Sequence, residues 1–371
     1  MDKEVISTKQ AIFTFILFNI GSFIIFGSGS DVKQDVWISI LLGLIMSLPM
    51  LFIYSRILML YPGKDLYDII LYVFGKILGR FICLVFLWYS FHLGTLVIRN
   101  FSGFVNVVSF PETPPFIFII LITLLAIWIV KAGIEVLGRW SAFIFPITIS
   151  IITLTIMLSM SNAHFLNLKP LLYNGLKPVF KTAFSIYSFP FAESVILTMV
   201  FNTVKEHKKI FKVFLVGNSI GCLTMTVSAL RNILVLGPEL TTNFFFPSYI
   251  AVRTVNIGDF VQRFEIVVAI VFIFGGFIKI SVCLLAATKG LAKLFSVSDY
   301  RQLTVPVGFL MVNFANIIYE SDMEMFYWAT KIYQFYAIPF QLVFPVIILI
   351  AAKIKQKAEE GKQGQEPQPA Q

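Results

Sequence analysis

The chain alternates long apolar runs with short polar connections. Ten of the runs approach or exceed the roughly 20 residues that a helix needs to cross the hydrocarbon of a bilayer. They fall near 9–29, 35–60, 80–107, 115–131, 140–160, 181–203, 210–236, 261–289, 303–319 and 327–352, spans four and nine being the shortest. Pro49, Pro146, Pro190, Pro306, Pro339 and Pro345 lie in or beside these spans. Membrane helices tolerate proline because neighbouring helices re-satisfy the freed carbonyls. The pattern predicts an all-α polytopic membrane protein with ten transmembrane helices in one domain, 1–356. A polar tail at 357–371, rich in Gln, Glu, Gly and Pro, is expected to be disordered on the same side as the N-terminus. The stretch 237–260, with its Phe244-Phe245-Phe246-Pro247 run, is too apolar for a wet loop and is expected to pack as a short helix over one mouth of the bundle.

Two of the ten spans are interrupted. Span one carries Asn19-Ile20-Gly21-Ser22, and span six carries Ser185-Ile186-Tyr187-Ser188-Phe189-Pro190 followed by Glu193 and Ser194. Five spans separate the two, so the second copy enters the membrane in the opposite sense. Paired interruptions at matching positions of two inverted halves point to a mid-membrane binding site of transporter type. In the first, Gly permits the backbone to leave helical geometry, and Asn and Ser can bond the groups set free. A half-helix starting near Ser22 would turn its positive end to the membrane centre, suited to a carboxylate. A glycine here also serves close helix packing. In the second, Pro190 removes a donor, while Tyr187 and Ser188 offer hydroxyls and open carbonyls. Asn19, Gly21, Ser22, Tyr187, Ser188, Pro190 and Glu193 are therefore the candidate ligand-binding residues.

Two charges fall inside spans. Glu193 lies near the middle of span six and Lys279 in span eight, within Gly275-Gly276-Phe277-Ile278-Lys279. Each costs about 2.5–3.5 kcal/mol at mid-membrane on insertion scales, so each needs a partner, water or a proton change. They are candidates to neutralise each other, with Lys279 supplying fixed positive charge where an ion-coupled protein would hold a cation. His92 and Tyr89 of span three are further candidates, with scaffolding the plainer role for a lone His. Trp37, Tyr54, Tyr72, Tyr249, Tyr319, Tyr327 and Trp328 read as interfacial belt residues.

Composition sharpens this picture. Of 371 residues, 58% are hydrophobic and 13% charged, more apolar surface than one soluble core of that length could hide. The net charge of +9 would suit nucleic acid in a soluble protein. Here the charges sit in short loops, and topology accounts for them. With the N-terminus cytoplasmic, 19 of the 29 Lys and Arg fall on the inner side and nine on the outer, so the positive-inside bias puts both termini inside. The loop at 160–180 runs against that bias. Cys83, Cys222 and Cys283 all fall in spans, which argues for buried thiols, no disulfide and no metal site. The first apolar run reads as a retained helix rather than a cleaved signal. Nucleotide-binding loops, dinucleotide fingerprints, zinc spacings and nucleophile elbows are missing, so neither an enzyme nor a cofactor is expected.

Three short stretches resemble a known family: Ile6 to Gln10 leading into span one, Tyr61-Pro62-Gly63-Lys64-Asp65-Leu66 after span two, and Phe189-Pro190-Phe191-Ala192-Glu193 in span six. With the ten-span plan, the chain resembles the spore germination protein family, the amino-acid-permease-like B subunits of nutrient germinant receptors, over roughly 3–355. The resemblance implies the amino acid/polyamine/organocation superfamily and a LeuT-type inverted-repeat fold. It also implies a receptor for an amino acid or other small nutrient, in complex with A and C subunits in the spore inner membrane. A proton-coupled permease and an ion-conducting subunit of a channel complex are the alternatives.

Overall fold

The computed structural model describes residues 4–23, 32–254 and 266–363. Among the described residues the secondary structure is helical throughout, save one parallel bridge between Ile6 and Val204. Span one is α1 (Thr8–Phe23) and span two is α2 (Val36–Leu60). A short helix, α3 (Leu66–Phe74), precedes spans three to five, α4 (Lys76–Val108), α5 (Pro115–Ala132) and α6 (Ile134–Ser159). Span six is α7 (Leu176–Ser188) followed by a 3-10 segment, Phe191–Met199. Span seven is α8 (Ile210–Leu236), capped by α9 (Pro238–Asn243) and α10 (Pro247–Arg253). Spans eight and nine are α11 (Ile266–Phe295) and α12 (Arg301–Ile317). Span ten joins α13 (Asp322–Tyr327), α14 (Tyr333–Ile338) and α15 (Phe344–Gln363) through π turns at Trp328–Ile332 and Pro339–Val343.

Among the described residues, seven helical stretches are long and apolar enough to cross a membrane. The other three expected spans are short for identifiable reasons. The described part of α1 has 16 residues, α12 has 17, and span six is broken. Large apolar side chains such as Ile45, Phe143 and Met157 point away from the protein. Such continuous exposed apolar surface belongs against lipid.

Helix packing follows the inverted repeat in most pairs, the extensive contact of α1 with α11 (one and eight) lacking its image between α4 and span six among the described residues. Shifting every span by five turns the pair α1–α8 (one and seven) into span six with α2, and both pairs pack extensively. The same shift turns α4–α12 into α5–α11, again both present. The pairs α2–α8, α4–α11 and α5–α12 are their own images and are also in contact. Spans one, two, six and seven thus interlock as one group, with spans three, four, eight and nine as another.

Several local expectations change. The amphipathic α3, which the span pattern passes over, starts where the Asp65 side chain accepts from the Asp68 amide at 2.9 Å. It stops at Gly75, whose φ of +76° suits glycine. The tail expected from 357 begins as helix and continues to Gln363. The cover at 237–260 is two short helices rather than one as far as Arg253. Tyr54, expected at the interface, is fully buried, because its hydroxyl bonds main-chain oxygens deep in the bundle.

The N-terminal segment straps one end of the bundle, hereafter the basal end. The Ile6 amide donates to Thr203 O and the Lys205 amide to Ile6 O, each at 3.0 Å. Glu4 pairs with Arg301 and accepts from the Tyr300 hydroxyl at 3.3 Å. The Thr8 hydroxyl donates to Glu206 at 2.6 Å. Hydrogen bonds from Lys209 and then Thr8 hold the Glu206 carboxyl below its ordinary range.

Candidate ligand site at the interrupted sixth span

α7 ends at Ser188 because Pro190 has no amide hydrogen to extend the ladder. The chain resumes as the 3-10 segment Phe191–Met199, every residue of it buried. A 3-10 helix rises about 2.0 Å per residue, so these residues cover about 18 Å where an α-helix would cover about 13.5 Å. Hydroxyls fold back to support it: Ser194 donates to Phe191 O at 2.7 Å and Thr198 to Val195 O at 2.6 Å.

Glu193 points from this segment into the bundle and is wholly shielded from solvent. One carboxylate oxygen pairs with the Lys279 ammonium, which is equally buried. The other accepts from the Tyr333 hydroxyl at 2.5 Å. Lys279 also sits 4.9 Å from the ring centre of Phe18 and 5.0 Å from that of Phe189. Two opposite charges in contact, with a further donor and two aromatic faces, meet the condition under which buried ions persist.

A chain of hydrogen bonds runs from this pair to the broken end of α7. Tyr333 spends its only proton on Glu193, so at the 3.0 Å contact of the two hydroxyls Tyr89 is the donor. Tyr89 in turn accepts from Gln341 Nε2 at 2.8 Å. The same nitrogen donates to Ser188 O at 2.8 Å, and the Ser188 hydroxyl donates back to Gln341 Oε1 at 3.1 Å. Tyr54 donates to Gln341 O and lies 3.3 Å from Ala192 O. The Ser188 carbonyl at the broken end of α7 is therefore satisfied by the Gln341 side chain of span ten. The two π turns frame this arrangement: Tyr333 follows the first and Gln341 lies within the second. Such single-turn bulges are frequent at functional sites.

Of the residues singled out in the sequence, Tyr89, Ser188, Glu193 and Lys279 join this network, with Pro190 at the break itself. Asn19 and Gly21 do not. Asn19 donates to Asn218 Oδ1 at 2.6 Å, and Asn218 donates to Ser47 Oγ at 2.9 Å, making a separate polar seam. The helix stays intact through Gly21 to Phe23, so the half-helix expected to begin near Ser22 is not found among the described residues. The reason for Gly21 is contact: a Cβ there would lie 2.4 Å from the Gly275 carbonyl. The Ser22 side chain lies outside the described residues, as do Gly27 and Gly29. The Tyr187 hydroxyl is buried without a partner. His92 stacks on Trp88 at 5.3 Å among aromatic rings, its Nδ1 likewise without a partner.

Sequence reasoning missed Tyr333, Gln341, Phe18 and Asn218, and misplaced Tyr54. A polar Gln341 amid Phe and Val in span ten was the available signal. Beside the network, Val97, Asn100, Phe189, Trp328 and Tyr333 line a cavity of about 20 Å³. That volume holds a water molecule and nothing larger.

The comparisons agree with this architecture. The chain is similar to MhsT in complex with L-phenylalanine, with a TM-score of 0.67 at 12% identity, covering 95% of this chain and 99% of that one. It is also similar to Mhp1, a nucleobase-cation-symport-1 family transporter in a closed conformation with bromovinylhydantoin bound, with a TM-score of 0.66 at 11% identity over 87% of this chain and 75% of that one. These likenesses establish a LeuT-type fold. Spore germination protein KB of Bacillus subtilis (strain 168) is 28% identical over 370 residues, 99% of each chain. Spore germination protein YndE of the same organism is 23% identical over 88% of this chain and 90% of its own length. The profile described as spore germination protein matches residues 5–323. A polytopic helical chain with this fold, matched to that profile over most of its length, belongs to the spore germination protein family.

Proposed function

We propose that this protein is the nutrient-sensing B-type subunit of a spore germinant receptor, binding a small ligand at the interrupted sixth span. The observation that carries the reading is the Glu193–Lys279 pair, buried and tied through Tyr333, Tyr89 and Gln341 to the break in span six. An amino group brought to Glu193 would compete with Lys279 for the carboxylate. Binding would then favour an arrangement in which the network is parted, and a ligand shifts an equilibrium only through such a difference in affinity. The amides near Gly21, expected to face the ligand carboxylate, lie within the described part of α1, which is helical to Phe23, and no role in binding is assigned to them.

Sensing is favoured over ion-coupled uptake by Lys279, a fixed positive charge in the centre of the bundle. Proton-coupled permeation, with Glu193 or Lys279 titrating during turnover, is the second reading. An ion-conducting role in a channel complex is the third. A and C subunits are the expected partners, with both termini on the cytoplasmic or core side of the membrane as the distribution of Lys and Arg suggests.

The deciding experiment is a thermal-shift screen of amino acids on the purified protein in detergent, with Glu193→Gln alongside. Stabilisation of the wild type alone by an α-amino acid supports binding at Glu193. Equal stabilisation of both proteins places the ligand elsewhere and sinks the reading. Uptake into proteoliposomes that collapses with the proton gradient would favour the permease.

A further inference from the structure

Among the described residues, one buried guanidinium lacks the carboxylate partner that Lys279 has. Arg231, five residues before the end of α8, is 3% exposed. Its Nε donates to Asn232 Oδ1 at 2.9 Å, and Asn232 Nδ2 donates to Ser248 Oγ of α10 at 3.0 Å. Its Nη1 is buried with no partner. Among the described residues no carboxylate lies within ion-pair distance of it. A guanidinium does not shed its proton in proteins, so it cannot escape the cost of burial by neutralising.

Its position on α8 is informative. Gly217 and Gly221 of that helix face Phe15 and Asn19 of α1. Fourteen residues beyond Gly217, close to four turns, Arg231 comes back to within about 40° of the same face and about 21 Å further along. It therefore continues the face of α8 that meets α1 lower down, at the end remote from the basal strap and beneath the cover formed by α9 and α10. With Nε held by Asn232, the Nη1–Nη2 edge remains, and that edge matches the two oxygens of a carboxylate.

We infer that Arg231 is a receptor for the carboxylate of a small molecule admitted under α9 and α10, with Asn232 and Ser248 holding the guanidinium in place. Burial beneath the cover suits a free small molecule rather than a lipid phosphate, which would need an open face. The inference rests on the nutrient reading only for the identity of the molecule, whose carboxylate would sit at a place beyond the Glu193–Lys279 centre and separate from it.

The test is thermal unfolding of the purified full-length protein at constant chloride, titrated with acetate, methylammonium or inorganic phosphate, for wild type, Arg231→Met and Glu193→Gln. Acetate is expected to raise the wild-type Tm saturably and methylammonium to leave it unchanged. Arg231→Met, freed of an uncompensated charge, is expected to melt above wild type without acetate and to show no acetate shift. Glu193→Gln is expected to keep the acetate shift whether or not it answers to an amino acid, so failure of the nutrient reading leaves this result legible. A lower Tm for Arg231→Met in acetate-free buffer would mean that the chain supplies its own anion, and would overturn the proposal. So would an acetate shift equal in Arg231→Met and wild type, or a wild-type shift with phosphate and none with acetate.

Discussion

Glu193 and Lys279 stabilise the bundle only together, and their energetics set the expectations for single substitutions. Removing one partner leaves an uncompensated buried charge, at a cost of about 3–5 kcal/mol. Lys279→Met alone is expected to abolish ligand response and to lower stability strongly while the chain still inserts in the membrane. Lys279→Met combined with Glu193→Gln is expected to recover most of that loss. A double-mutant cycle by unfolding in detergent measures it, and purely additive losses would mean that the pair is not coupled. Tyr333→Phe removes a hydrogen bond to a charged group, expected to cost about 1.5–3 kcal/mol. If the Phe variant unfolds like wild type and keeps its ligand response, Tyr333 is packing alone. These residues also show what the sequence could reveal. Glu193 and Lys279 were conspicuous because charge is rare in an apolar run. Tyr54 and Tyr333 were not, because a tyrosine in a span reads equally as belt or core until its hydroxyl has a partner.

At the scale of elements, the contrast between the two expected breaks, at Asn19–Ser22 and at Pro190, is physical. Proline removes a backbone donor whatever its surroundings, so the interruption at Pro190 was legible from the chain alone. Glycine only permits an interruption, and at Gly21 the permission serves close approach to Gly275. Gly21→Ala and Gly275→Ala are each expected to destabilise the protein by about 1–3 kcal/mol through overpacking, with or without ligand. A loss of ligand response at unchanged Tm would instead restore a direct binding role for Gly21. The basal strap makes a second test. Glu4→Gln is expected to speed hydrogen exchange at the Ile6 and Lys205 amides together, because the same bridge protects both. Unequal changes would show that the strap does not move as a unit. Acid acts on the same strap through Glu206. Its folded-state pKa lies below the unfolded one, so its contribution is complete above the ordinary Glu pKa of about 4.3 and fades as pH falls through the lowered value. Exposure to solvent keeps that contribution small.

For the whole molecule, the count of spans, the five-plus-five relation and the position of the second interruption were written in the periodicity of apolar runs. The arrangement of side chains around Glu193 was not, because it depends on two π turns in span ten. Each π turn holds one residue more than an α turn, and nothing in local hydropathy marks the surplus. Without those turns Tyr333 and Gln341 would face other directions and the network would lack its outer half.

That surplus gives span ten a mechanical property. One residue of an α-helix corresponds to about 100° of rotation. A π turn that relaxed to α geometry by passing its extra residue along the chain would twist everything beyond it about the helix axis. Gln341 would leave Tyr89 and Ser188, and α15, continuous to Gln363, would carry the twist to its far end as torque. Opening the central network and turning α15 would then be a single motion, like a key and its bolt. Deleting one residue from the Pro339–Val343 turn should lock that motion in its turned position. Distances between spin labels on α15 and α3 would register it, and unchanged distances would show that the surplus residue is inert.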